Sequence, residues 1–236
     1  MMKKECGFTL IELILTLVLT ALLASIVVEI IAGPIKSYFW INQQAVRVET
    51  AEQTIDMIAK ELRQALPQTV KIENEDSART LSFQKILYKG LVILPAGANN
   101  EYAIVGSFPE QIEIDKAYWL IFPLSSSEPM HAYKVNIKNE QSGMLTFNES
   151  IHQNSVQPVP FYLLSEPIHY TFSQQLHLLQ RRQENDEALV ANQVQNCQFQ
   201  MFEENTNQGV LVSFSVGGPK EKLVKFNAPI MLEHIL

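Results

Sequence analysis

The chain predicts an α+β fold in which one long amino-terminal helix packs on antiparallel β-sheet, with two sheets in the head. Three observations carry this. Residues 8–32 form an apolar run whose only charges are Glu12 and Glu29. Apolar residues spaced three or four apart then continue to Ala65, the periodicity of a helix with one buried face. Beyond Pro67 the period falls to two, and turn-rich stretches separate short apolar runs, which is the pattern of β-structure.

The apolar run is 25 residues long, enough for one membrane crossing. Lys3 and Lys4 precede it and hold its start in the cytoplasm by the positive-inside rule, which sends the remainder to the periplasmic side. A carboxylate within such a helix costs roughly 2.5–3.5 kcal/mol at its centre and less near an end, so Glu12 is a functional candidate. Glu29 lies at the far end of the run. There it reaches the outer headgroups as a boundary residue or makes an ion pair between copies of the chain.

Residues 33–66 read as an amphipathic continuation of the same helix. Its stripe is Tyr38, Ile41, Ala45, Val48, Ala51, Ile55, Ile58, Leu62 and Ala65, with Arg47, Glu49, Glu52, Gln53, Asp56, Lys60 and Arg63 between them. Such a stripe covers the open face of a sheet, with a coiled-coil pairing as the alternative. Pro67 stops the helix, because proline lacks a donor and disfavours helical geometry in the residue before it. Gly33 and Pro34 mark the place for a kink or local melting.

Residues 67–236 form the β-rich head. Short strands are expected at 69–73, 80–86, 91–94, 101–105, 117–122, 131–138 and 144–148, and then at 161–164, 168–172, 176–181, 195–203, 210–216, 222–226 and 230–234. Residues 148–160, with Pro158 and Pro160, are the expected sub-boundary between two sheets.

The formal net charge is −7. Without a basic stripe, the phosphate neutralisation that dominates nucleic-acid affinity is missing, so no nucleic-acid partner is expected. Catalytic signatures are absent: there is no G-x-S-x-G elbow, no phosphate-binding glycine loop, no H-E-x-x-H and no C-x-x-C. His131, His152, His169, His177 and His234 are scattered without metal-ligand spacing. The acidic residues at 73–76 and the pair Glu203 and Glu204 lack a calcium-loop pattern and read as solvated charge, as do Arg181 and Arg182. No enzyme activity, cofactor or metal is expected. Cys197 reads as a small residue in a strand.

Lys3, Lys4, Gly7, Phe8, Thr9, Leu10, Ile11, Glu12 and Leu13 resemble the signal of type IV prepilins and type II secretion pseudopilins. That resemblance implies cleavage between Gly7 and Phe8 by a membrane-embedded prepilin peptidase, with methylation of the new amine on Phe8. It assigns residues 1–7 to a cleaved leader and residues 8–32 to the filament-core helix. Loss of that leader removes two lysines, one glutamate and Cys6, taking the net charge from −7 to −8 and leaving one cysteine that cannot close an internal disulfide.

The resemblance further implies that Glu12 serves assembly, its carboxylate meeting the Phe8 ammonium of a neighbour. The Thr9 hydroxyl orients that amine or satisfies a helical carbonyl. The segment 63–72 is similar to the helix end of the J-type pseudopilins and the PilW or MshO class of minor pilins, and the stretch 189–216 to the late strands of the MshO group. This implies a low-abundance subunit that starts or caps a filament, with other minor and major pilins and an inner-membrane assembly platform as partners. A tip adhesin is the alternative, for which Tyr88, Tyr118 and Trp119 are the aromatic candidates.

Overall fold

The computed structural model describes residues 9–75, 77–93, 101–105, 112–113, 116–122, 132–139, 144–147, 158–204, 207–217 and 223–232. Among the described residues the one α-helix, α1, spans Leu10–Leu62 and runs unbroken through Gly33 and Pro34. The expected melting is therefore not observed: Pro34 removes one backbone donor, and the flanking turns hold the helical path. The chain divides into two compact units, residues 1–49 and residues 50–236.

In the second unit α1 ends at Leu62, four residues before the expected stop. Gln64 N donates to Glu61 O at 3.1 Å and Ala65 N to Leu62 O at 3.0 Å, a tightening common at helix ends. Ala65 then pairs with Lys85, which draws the chain out of the helix before Pro67 acts. A 3₁₀ turn follows at Pro67–Thr69.

The fourteen strands among the described residues form three antiparallel sheets. The first contains β1 (Lys71–Asn74), β2 (Ala78–Phe83), β9 (Ile168–Ser173), β10 (Leu178–Gln183) and β11 (Asp186–Ala191), in that spatial order. The second is the meander β12 (Val194–Glu204), β13 (Asn207–Val216) and β14 (Val224–Met231). Between β2 and β9 the chain makes β3 (Ile86–Ile93), β4 (Glu101–Val105), β5 (Ala117–Ile121), β6 (Ala132–Asn139), β7 (Met144–Phe147) and β8 (Val159–Leu164), which close into a barrel ordered β3-β4-β7-β6-β5-β8.

The expectation of two sheets is thus corrected to three. Alternation along single strands does not reveal closure, which depends on β8 pairing with both β3 and β5. Residues 148–157 of the expected sub-boundary lie outside the described residues. Among the described ones, the barrel begins at Ile86 and ends at Leu164.

Two main cores result. Ala51, Ile58, Ala59, Leu62 and Ala65 of the helix and its tail bury against Leu81, Phe83, Tyr170, Phe172, Val212 and Phe214 of the two open sheets. Burying each large side chain of this kind is worth about 1.5–3 kcal/mol. The expected stripe is accurate here, whereas Tyr38 and Ile41 are 69 % and 60 % exposed. The second core fills the barrel with Val92, Leu120, Val135, Ile137, Phe161 and Leu163. Leu66, Ile121 and Leu164 form a smaller cluster where the barrel meets the helix tail.

Backbone bonds join the barrel base to both neighbours. Ile86 N donates to Gln64 O at 2.9 Å, Leu66 N to Gln84 O at 3.0 Å and Ser165 N to Lys85 O at 2.8 Å. Arg79 joins the open sheets, its Nη1 donating to Asn196 Oδ1 at 2.6 Å and Cys197 O at 2.9 Å.

Candidate functional site: the exposed amino-terminal helix

Of the sequence-predicted site residues, Lys3, Lys4, Gly7 and Phe8 lie outside the described residues. Thr9 immediately precedes α1, and Glu12 occupies its first turn. Thr9 O accepts from Glu12 N at 3.1 Å and from Leu13 N at 3.2 Å, so the backbone of this pair forms the opening turn. A carboxylate there faces the positive end of the helix dipole.

Beyond that turn, α1 is long and apolar enough to cross a membrane, with a mean hydropathy of 2.6 over its most apolar window and no burial there. Its hydroxyls turn back onto its own backbone. Thr16 Oγ1 donates to Leu13 O at 2.9 Å, Thr20 Oγ1 to Thr16 O at 2.8 Å and Ser25 Oγ to Leu22 O at 2.9 Å. Apart from Glu29, the outward surface is therefore hydrocarbon, as a lipid or a second apolar helix requires. Tyr38, Phe39 and Trp40 follow, all exposed. Consecutive helical residues point about 100° apart, so these rings surround α1 rather than edge one face.

In the head, the principal polar cluster is one that motif reading missed. Tyr170 on β9 stands opposite Arg181 on β10, and both meet Glu61 of α1. Tyr170 Oη donates to Glu61 Oε2 at 2.7 Å, Arg181 Nε to Oε2 at 3.1 Å and Arg181 Nη2 to Oε1 at 2.9 Å. Lys85 Nζ adds a contact to Oε1 at 3.3 Å. Arg181 is thus an interior partner of the helix, correcting its reading as surface charge.

The side chains of Glu61 and Arg181 are each only 15 % exposed. Burial pushes the Glu61 carboxyl up, but hydrogen bonds from Arg181 and Tyr170 and the charges of Lys85 and Arg181 outweigh it, leaving the net shift downward. Burial and the Glu61 carboxylate raise the Tyr170 phenol. The hydrogen bond to Glu61 raises Arg181 against the opposing effect of burial. A signal was present, because Glu61 lies three residues after Ile58 and hence about 60° from the centre of the buried face.

Elsewhere the described residues of the head offer little chemistry. Cys197 is fully buried, and burial pushes its thiol up to about 12, so it is unreactive. Tyr118 is buried, its Oη accepting from Glu113 N at 2.9 Å. Trp119 Nε1 donates to Glu166 Oε2 at 3.1 Å, and Lys134 Nζ lies 5.9 Å from its ring centre. The Tyr88 ring lies 5.8 Å from that of Phe161.

A cavity of about 380 Å³ lies beside the 3₁₀ turn, bordered by Lys71, Glu73, Gln84 and His169. Burial and Arg182 push His169 down, with Glu73 opposing. Among the described residues, no three His, Cys, Asp or Glu side chains converge into a metal-binding group.

No curated protein and no solved structure matches the chain. Residues 2–28 match the family described as a prokaryotic N-terminal methylation motif. This motif implies processing by a prepilin peptidase and assembly with other pilins, and together with the apolar helix it supports a membrane-anchored protein of the type IV pilin and pseudopilin kind.

Proposed function

We propose that this chain is a minor pilin or pseudopilin that helps to start or cap a type IV pilus-like filament, of the MSHA or type II secretion kind. It enters the inner membrane as a single-pass prepilin. Lys3 and Lys4 hold its start in the cytoplasm, and the head faces the periplasm. The peptidase cuts between Gly7 and Phe8 and methylates Phe8. The assembly platform then brings the helix among those of neighbouring subunits, where the Glu12 carboxylate takes the Phe8 ammonium of a neighbour and Thr9 orients it. Each charge offsets the cost of burying the other.

The observation that carries this reading is the coincidence of the methylation motif with a helix whose apolar window is unburied and whose first turn bears one carboxylate. A plain membrane anchor has no use for Glu12. The ring of Tyr38, Phe39 and Trp40 supports the outer boundary of the span, since interfacial aromatics suit the headgroup level. The adhesive alternative has less support, because Tyr88, Tyr118 and Trp119 are engaged in the barrel or with its neighbours.

Deletion of the subunit is the test of role. Loss or shortening of filaments is expected, whereas intact filaments with lost attachment would favour the adhesin.

A further inference from the structure

Between Leu10 and Val46 the only charged residues are Glu12, Glu29 and Lys36. Glu29 and Lys36 are both exposed, and neither has a hydrogen-bonded or ionic partner among the described residues. They lie seven residues apart, about 20° short of two helical turns, and so share one face of α1. Their separation along the axis is about 10.5 Å, too long for a contact within one helix. Gly33 lies between them on the same side, and a Cβ built there meets nothing within 4 Å. That notch admits the backbone of a second helix.

We propose that Glu29 and Lys36 form a staggered ion pair between subunits, the carboxylate of one copy meeting the ammonium of a parallel second copy displaced along the helix axis. Charge complementarity within one face selects the occupant. Two copies in exact register place like charges side by side, and an antiparallel neighbour belongs to no membrane in which every copy has the same topology. A parallel, displaced copy brings opposite charges together.

The sense of displacement agrees with the Glu12 contact, and in this respect the inference rests on the function proposed above. Meeting the Phe8 amine requires a neighbour raised by four residues, about 6 Å. The same shift leaves the raised copy's Glu29 about 4.5 Å below the first copy's Lys36. Helical side chains lean toward the amino terminus, so Lys36 reaches down to it. Glu12 and Lys36 point about 120° apart around α1, so the two pairs engage different neighbours, each raised in the same sense.

The test uses the full chain in membranes, with two differently tagged copies in a Cys6→Ser background. Cys197 is fully buried and remains. One copy carries Ser25→Cys and the other Ala32→Cys, each four residues before Glu29 and Lys36 on the same side of α1, so both charges are kept. Mild oxidation is expected to give the mixed 25–32 product several-fold above either same-site product. Dominant 25–25 and 32–32 products would overturn the stagger.

Separately, Glu29→Lys or Lys36→Glu alone should reduce co-isolation of the tagged copies several-fold, and both changes in every chain should restore it. Undiminished co-isolation with the single changes overturns the pair. If the chain is cut after Gly7 and enters filaments without these signatures, the ion pair fails while the functional reading stands. If it is neither cut nor incorporated, both fail.

Discussion

Glu61 adds a polar tie between α1 and the first open sheet, through Tyr170 and Arg181, to their shared apolar core. Replacing it with Gln preserves its shape but leaves Arg181 and Lys85 close together and largely buried without a neutralising charge. The expected loss is about 3 kcal/mol, read by urea denaturation of the detergent-solubilised chain. Its carboxyl titrates below the ordinary value of 4.5 in the folded chain. The network's contribution is therefore complete above that value and is lost as pH falls through the lower folded value. Wild type should lose stability more steeply than Glu61→Gln across that acidic window, and parallel profiles would remove Glu61 as the cause. Cys197 makes a separate prediction: a thiol-alkylating reagent at neutral pH should label it only after the head unfolds. Rapid labelling of the native chain would contradict its burial.

At the scale of elements, Gly90 shows how tightly the barrel is filled. A Cβ there would lie 2.6 Å from the Tyr88 ring and 2.8 Å from that of Phe161. Gly90→Val should cost about 1–3 kcal/mol by overpacking, read as a lowered thermal midpoint. An unchanged midpoint would mean that the rings move aside freely. The same scale shows where sequence patterns succeed. Strands such as Ile168–Ser173 bury every second residue, and their alternation is legible. Strand Asp186–Ala191 was missed because it is an edge strand with four exposed residues, so no apolar alternation marks it. Val224–Met231 was expected as two strands because Pro229 interrupts it, yet an edge strand accommodates a proline. The opening of α1 was legible as a motif, since Glu12 is anomalous in an apolar run. The Glu61 cluster was not, because Tyr170 and Arg181 lie on strands more than a hundred residues away.

At the scale of the whole molecule, the barrel is an insertion in the first open sheet. Phe83 at the end of β2 pairs with Ile168 at the start of β9, so the ends of the insertion are adjacent. Replacing residues 86–164 by a short turn should leave a chain that still folds, with reduced stability from loss of the Leu66, Ile121 and Leu164 cluster. Circular dichroism should retain helix and strand signals with a cooperative melt, and an unfolded product would show that the barrel is required for the sheet. The head so described has its own cores, whereas α1 begins with an apolar surface that has no covering partner within its first unit. Glu12→Ala should therefore leave processing and head stability intact while excluding the subunit from sheared filaments. Normal incorporation would remove the assembly role of that carboxylate.

The most direct test of the central claim is the mass of the amino-terminal peptide of the protein isolated from membranes of a cell with prepilin peptidase. Cleavage after Gly7 with one methyl group on Phe8 is the expected result, and substitution of Gly7 should abolish it. A chain that retains residues 1–7, or begins at Phe8 without the methyl group, would contradict the account.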